Sequence, residues 1–506
     1  MSFVDPLFLF VFIPLLLLVY RQAIPTPRND AHWGVVLLSV ASMIFYVCWE
    51  RRFLLILLVS IVIHFIAAQA MAHGPDARKK RLLILVLTFN LILLGVFKYS
   101  TFAYHTVLDL LGMAGHASTL IRPFGIYLPL GISFFTFTQM AYVVDVYRGA
   151  SPENRFMPYF LFVTWFPHLM AGPILHHREM IPQFRSLLGS PLHVDHLAVG
   201  LTWITLGLFK KVILADGMAT LATPLFQDAV TGGSPDMSAA WSGVLAYTLQ
   251  LYFDFSGYCD MAIGLSFLFG IRLPLNFNSP YKATSIIDFW HRWHITLSRF
   301  LRDYLYIPLG GGRVGPGRKY FNLMVVMLLG GLWHGAGWTF IVWGGLHGIY
   351  LLINHVWRAT PWSGDGLVAR LFGRVLTFLA VTFAWTFFRA HDLPSAMRIV
   401  YGLMGGNGME RPDAWLNALA QWDWASLVAS PWVILVILLA WVWWLPNSQQ
   451  ILAGTEAFLG QKIADSPQLL CWRPNRFFAL VCGVLLTVGL IVVISSQERL
   501  FLYSQF

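Results

Sequence analysis

The chain has 506 residues, of which only 11% are Asp, Glu, Lys or Arg, less than half of the ~25% found in ordinary soluble proteins. With glycine counted and tyrosine left out, about 61–62% of residues are apolar, above the usual ~45–50%, and the mean hydropathy is +0.65. So few charges cannot wet a soluble surface of this size and argue equally against a disordered chain, which leaves a polytopic membrane protein. The 34 basic and 24 acidic residues give a net charge of +10. Basic loops held on the cytoplasmic side account for that excess without a nucleic acid partner, and a negatively charged nucleotide cofactor is a second possible partner. Cys48, Cys259, Cys471 and Cys482 contain no Cys-x-x-Cys pair and indicate neither a disulfide framework nor a cysteine metal site. The first apolar run meets Tyr20 and Arg21 without a small-residue cleavage site, the pattern of an uncleaved first span.

A spanning helix needs about 20 mostly apolar residues. Candidates in chain order are 6–20, 33–49, 53–72, 82–97, 126–144, 156–173, 197–215, 240–254, 256–271, 322–333, 337–356, 372–388, 431–445 and 477–495. Some are short, so the expectation is an all-α protein with about 11–13 transmembrane helices and re-entrant pieces among them. Arg21 and Arg28 in the first loop, and Arg78, Lys79, Lys80 and Arg81 in 74–81, place those loops in the cytoplasm if the N-terminus is outside. The 98–125 stretch is then outside, and Glu50, Arg51 and Arg52 sit on the less expected side. The stretches 174–196 and 272–320 are too polar to span and too apolar to be free loops; 404–430 and 446–476 are polar excursions.

Within 285–308 the apolar residues recur at 286, 289, 290, 293, 297, 300, 301 and 304, which is helical spacing. The sequence predicts an amphipathic helix at the membrane interface or inside the bundle, with Asp288–Arg292 and Arg299–Asp303 as i,i+4 pairs. A basic, flexible loop follows over Gly310–Lys319. Gly312 and Gly317 have the spacing of a phosphate-binding loop, but Arg318-Lys319-Tyr320 and the absence of a preceding strand reject that motif. Arg313, Arg318 and Lys319 either attract a phosphate-bearing donor or simply anchor the loop on the basic side.

Ionisable residues inside spans are costly and face a cavity or a partner. Asp254 and Asp260 lie in the apolar run Gln250–Asp260; they read as a buried network locking helices together, as a break between half-helices, or as ion-coupling sites of a transporter. His334 sits among glycines in Gly330-Gly-Leu-Trp-His-Gly-Ala-Gly337. Glycine lets a backbone or ligand approach closely, and a neutral imidazole is a general base near pH 7; a hydrogen-bonded core histidine explains the pattern equally well. His291 and His294, three apart, share a helix face, but no third ligand type completes a metal set and the zinc signature is missing. No metal is expected. His176-His177 reads as a polar re-entrant turn.

Taken together, these stretches resemble the membrane-bound O-acyltransferase (MBOAT) family, in its alginate O-acetyltransferase-like bacterial branch. The segments carrying the resemblance are Leu130–Gln139, Asp145–Gly149, Phe166–Ile174, Gln250–Tyr258, Phe289–His294, Leu301–Gly310 and Gly331–Gly335. Each alone is weak; seven in order within 124–350 are specific. The resemblance implies a ring of tilted helices around a funnel, with the family histidine at His334 and its second catalytic position at His294. It also implies acetyl-CoA as a substrate drawn from the cytoplasm, with no permanently bound cofactor. Delivery is expected on the periplasmic side of a bacterial inner membrane, to a partner acetyltransferase or carrier that modifies an exported polysaccharide.

On that expectation His334 takes the acceptor proton or briefly carries the acetyl group, while His294 orients substrate or polarises the thioester carbonyl. Arg292, Arg299 and Arg302 are candidates for the donor phosphates, and Asp254, Tyr258 and Trp333 for the pocket lining. Residues 1–395 form the expected membrane core, with 396–506 adding C-terminal helices to the same domain. Alginate, cellulose, another exopolysaccharide and peptidoglycan all remain open as acceptors. An ion-coupled transporter and a non-catalytic scaffold of an export complex are the competing readings; no internal repeat of the transporter kind is visible in the sequence.

Overall fold

The computed structural model describes residues 2–23, 32–112, 128–186, 194–313, 315–360, 364, 366–409, 430–459 and 471–495. Most of these are helical. The strand pairing among them is one short parallel bridge, Leu273 to Phe458 and Pro274 to Leu459. Among the described residues six helices are long and apolar enough to cross a membrane: Leu54–Ala72, Asp76–Leu110, Val194–Thr231, Trp338–Arg358, Leu367–Arg389 and Arg476–Ser495. Phe8–Gln22, Trp33–Trp49 and Pro431–Trp444 are shorter apolar helices. Arg28, most of 404–430 and part of 446–476 lie outside the described residues.

Several expected boundaries are corrected. The runs 240–254 and 256–271 are one 32-residue helix, Met237–Leu268, about 48 Å long at 1.5 Å per residue. Nothing breaks it at Asp254, and every residue from Gly243 onward is buried. The 197–215 run continues through a π-helical turn, Lys210–Ala215, to Thr231. The 82–97 run likewise continues through a π turn at Gly95–Tyr99, so the first part of the expected 98–125 loop is helix. The 156–173 run splits into Phe156–Thr164 and Phe166–Leu169, where Pro167 suits the first turn of a new helix better than the interior of an old one. The supposed flexible loop over 310–319 ends early, because Gly315 at φ +89° hands over to Pro316 at the first helical position.

The central helix Met237–Leu268 packs most closely on Val194–Thr231. Glycines set this crossing. A Cβ on Gly264 would stand 2.5 Å from the Gly200 carbonyl oxygen, and one on Gly257 2.8 Å from that of Gly207. Gly257 lies midway between Asp254 and Asp260, and each carboxylate meets a lysine from the π turn. Lys211 Nζ is 2.6 Å from Asp254 Oδ1, with both side chains 2% exposed. Lys210 Nζ is 2.7 Å from Asp260 Oδ2, which also accepts from Ser448 Oγ at 2.6 Å. Successive residues on a helix differ by about 100° and residues six apart by about 120°. The two lysines and the two aspartates therefore straddle the glycine contact, one ion pair on each side. Of the three readings of the carboxylates, the helix-locking network is the one whose contacts are present.

The C-terminal segment is tied to the same centre. Asn447 caps a short helix, Ser448–Ile451, and its Nδ2 donates to Ser279 Oγ at 2.8 Å. Gln449 Nε2 donates to Asn278 Oδ1 at 2.7 Å.

Removing the Lys211 charge leaves Asp254 buried without its cation. Loss of one partner from a buried pair costs about 3–5 kcal/mol. Lys211→Met is expected to lower the thermal midpoint of the detergent-solubilised protein strongly, and Lys211→Met with Asp254→Leu to recover part of the loss, since Asp216, which also bonds Lys211 Nζ at 2.8 Å, keeps its charge. A single variant as stable as wild type contradicts the locking role.

Candidate active site

The helix Pro316–His334 ends on His334, and Gly335 leaves it in an extended conformation (φ −159°, ψ 151°). The next helix starts at Trp338, so His334 stands at the tip of a sharp turn inside the bundle. Gly331 allows the two helices to touch: a Cβ there would come within 2.3 Å of the Phe340 carbonyl oxygen.

His294 arrives from the other side, and not on the continuous helix that the spacing predicted. The segment breaks into Ile286–Arg292 and Ile295–Leu301, with Trp293 extended and His294 left-handed at φ 44°, ψ 54°. The buried stripe is as read up to Leu301: Ile286, Phe289, Trp290, Trp293, Leu297, Phe300 and Leu301 all face inward, while Tyr304 is half-buried. Two backbone bonds replace the lost helical ones, Asn278 N–H to Arg292 O at 2.9 Å and Ile295 N–H to Asn276 O at 3.0 Å. A left-handed non-glycine residue is a strained conformation of the kind concentrated at functional sites, and histidine tolerates it better than most.

Asn276 holds this break. Its Oδ1 accepts from Thr296 N–H at 3.3 Å and from Thr296 Oγ1 at 2.9 Å, and it lies 3.1 Å from His294 Nδ1. The Thr296 N–H can only donate, which identifies the oxygen end of the amide. That oxygen can only accept, so His294 Nδ1 carries the proton and Nε2 the lone pair. Thr296 Oγ1 accepts in turn from Ile174 N–H at 2.9 Å, and Asn276 Nδ2 reaches Cys259 Sγ on the central helix at 3.4 Å.

The two histidine rings are 6.4 Å apart, centroid to centroid. His294 is 0% and His334 5% exposed, so the pair is shielded from bulk water. Aromatic rings wall it: Trp343 at 5.1 Å and Phe388 at 5.2 Å from His334, Phe255 at 4.9 Å from His294. Trp333 touches both, at 4.8 Å from His334 and 6.1 Å from His294. Two imidazoles in an apolar enclosure can exchange a proton with a hydroxyl placed between them, and water exclusion strengthens each polar contact inside.

The three arginines each meet a carboxylate. Arg292 Nε bonds Asp288 at 2.7 Å, the predicted i,i+4 pair. The predicted Arg299–Asp303 pair does not form. Residues Arg302–Tyr306 turn as a π-helix, which changes the angular position of Asp303; Arg302 takes it at 2.7 Å. Arg299 instead makes a two-pronged contact with Glu179, 2.7 and 2.9 Å, next to His176, whose Nδ1 is 3.3 Å from Tyr304 OH. Asp254 sits in its lysine pair, and Tyr258 stacks on Phe3 at 4.7 Å. His291 is exposed while His294 is buried, because the break turns them apart; among the described residues no three His, Cys, Asp or Glu gather at metal-binding distance.

The sequence reading passed over Asn276, Lys98, Tyr99 and His347. Lys98 and Tyr99 reach the last carbonyls of the His334 helix. His347 is fully buried among Phe289, Trp290 and Trp343. A lysine in an apolar run is the one of these signals that a sequence displays openly.

Residues 153–361 match the family model described as MBOAT, membrane-bound O-acyltransferase family. The chain is 43% identical to a peptidoglycan O-acetyltransferase of Helicobacter pylori, over 80% of each chain. It is 39% identical to a probable alginate O-acetylase of Azotobacter vinelandii over 100% of both. It is 30% identical to a teichoic acid D-alanyltransferase of Streptococcus thermophilus over 45% of this chain and 57% of that protein.

Asn276→Ala leaves the His294 and Thr296 donors unmet, at about 1–3 kcal/mol for each buried orphan. A lower thermal midpoint in detergent is the expected outcome, with Asn276→Asp, which keeps the acceptor, falling less. Equal midpoints for Asn276→Ala and wild type would show that the amide does not hold the break.

Proposed function

The chain belongs to the membrane-bound O-acyltransferase family, and on that premise we propose that it moves acetyl groups from acetyl-CoA to an acceptor hydroxyl, for the O-acetylation of an exported polysaccharide. Supporting this reading is one observation above the rest: two histidines forty residues apart in sequence meet as a buried pair, 6.4 Å between ring centres, in an aromatic enclosure. In the proposed reaction His334 removes the proton of the attacking hydroxyl. The hydroxyl oxygen bonds to the thioester carbonyl carbon, the C–S bond breaks, and the imidazolium returns the proton to the departing thiolate. The lone pair on His294 Nε2 suits it to accept from the acceptor hydroxyl and orient it. Polarising the thioester carbonyl needs a proton on that nitrogen, so the orienting role is preferred. Arg292, Arg299 and Arg302 hold the donor phosphates in this scheme only by exchanging their carboxylate partners for phosphate, to which a guanidinium bonds by the same two-pronged geometry.

The acceptor is read from the relatives' names, which give peptidoglycan, alginate and teichoic acid. A partner on the periplasmic side of the inner membrane then completes transfer to the polymer. The lysine-paired state of Asp254 and Asp260 leaves the transporter reading without a supporting observation.

The test is CoA release from labelled acetyl-CoA by purified protein in nanodiscs, with alginate oligomers or peptidoglycan fragments as acceptors. Wild type is expected to release CoA, His334→Ala to lose activity by about 10²–10⁴-fold and His294→Ala by a smaller factor. Label retained on the protein in a His334-dependent way marks an acetyl-histidine stage. Full release by His334→Ala rejects the mechanism.

A further inference from the structure

The helix that carries His334 ends inside the bundle, with Trp333 and His334 each 5% exposed, and a helix end leaves its last four carbonyls without regular partners. Each nevertheless has a donor. Gly331 O accepts from Gly335 N–H at 3.4 Å. Leu332 O accepts from Tyr99 OH at 2.9 Å. Trp333 O accepts from Lys98 Nζ, which also reaches His334 O at 3.3 Å and lies 5.7 Å from the Trp333 ring centre. Three of the four caps therefore come from a helix more than 230 residues earlier in the chain. They come from the two residues that end its π turn, Gly95–Tyr99. A wider turn narrows the angle between successive side chains, so Lys98 and Tyr99 both point at one helix end. π turns inside α-helices recur at functional sites for this kind of re-aiming, and a cation at a helix C-terminus is favoured by the helix dipole.

We propose that Lys98 and Tyr99 are positioning residues for acyl transfer: they cap the His334 helix from a distant segment and so fix where its imidazole stands against His294. The inference rests on His334 as the base. A cap on the residue's own carbonyl is close enough for its loss to displace the ring, and a shift of about 1 Å at a catalytic group can cost on the order of a hundredfold in rate.

The experiment compares wild type, Lys98→Met, Lys98→Arg, Tyr99→Phe and His334→Ala, each as full-length folded protein in nanodiscs. CoA release gives kcat and KM for acetyl-CoA. Mass spectrometry gives the rate at which diethyl pyrocarbonate modifies His334, in every variant that retains it. Lys98→Met is expected to lower kcat about 10- to 100-fold with KM within about twofold, and to raise the His334 modification rate at least ~3-fold as the uncapped end frays. Lys98→Arg, which keeps donors at that place, is expected to stay within about threefold of wild type on both counts. Tyr99→Phe carries the same signs at about 3- to 10-fold in kcat and decides the matter if Lys98→Met does not fold. Wild-type kcat and wild-type modification rate in a folded variant overturn the proposal, as does a change confined to KM or to the thermal midpoint. Activity in His334→Ala, or none in wild type, defeats the functional reading instead; the modification rate then still tests the cap alone.

Discussion

One side-chain oxygen, Oδ1 of Asn276, is the point on which the candidate site depends. It accepts from both donors of Thr296 and from the ring of His294, and through Thr296 it fixes the backbone at Ile174. A histidine in a left-handed conformation does not stay there unaided. The amide meets the donors that the broken helix leaves over, and it sets the tautomer of the imidazole at the same time. Geometry and chemistry at His294 are thus consequences of one acceptor.

Around that point the protein solves the general difficulty of placing polar groups in an apolar bundle. The central helix is locked to Val194–Thr231 by glycine contacts flanked by two lysine–aspartate pairs. A buried pair of this kind adds little net stability over an apolar substitute; its value lies in register, since a slip of either helix separates two pairs at once. Lys98 and Tyr99 apply the same economy at the end of the His334 helix, using side chains where a soluble protein uses water. π turns supply both sets of lysines.

The aromatic wall has a distinct part. Trp333, Trp343, Phe388 and Phe255 surround the histidine pair, and their rigid faces leave the imidazoles few positions. Trp343 stacks on Trp385 at 5.6 Å, and Trp385 packs on Trp293 at 5.0 Å, so the wall is continuous with the helix break itself. The wall keeps bulk water from the histidine pair, and that exclusion strengthens each polar contact inside it.

What the sequence by itself determined is the solvent class, the helical nature and the family. Low charge and long apolar runs leave only helices in a bilayer, and the ordered motifs pick out His334, His294 and Trp333. The buried stripe through 286–301 was legible because burial follows the order of residues along the segment. The break at His294 was not, because no glycine or proline marks it; distant partners hold it, Asn276 and Thr296 among them. The fused central helix was hidden for a related reason: carboxylates at 254 and 260 look like interruptions until lysines from another helix neutralise them. The same holds for the arginines, where Glu179 and not Asp303 meets Arg299. Hydropathy and spacing are local properties, so they survive in the sequence. Ion-pair choice, helix fusion and the capping of a buried helix end are settled by groups far apart in the chain, and only the tertiary structure brings those together.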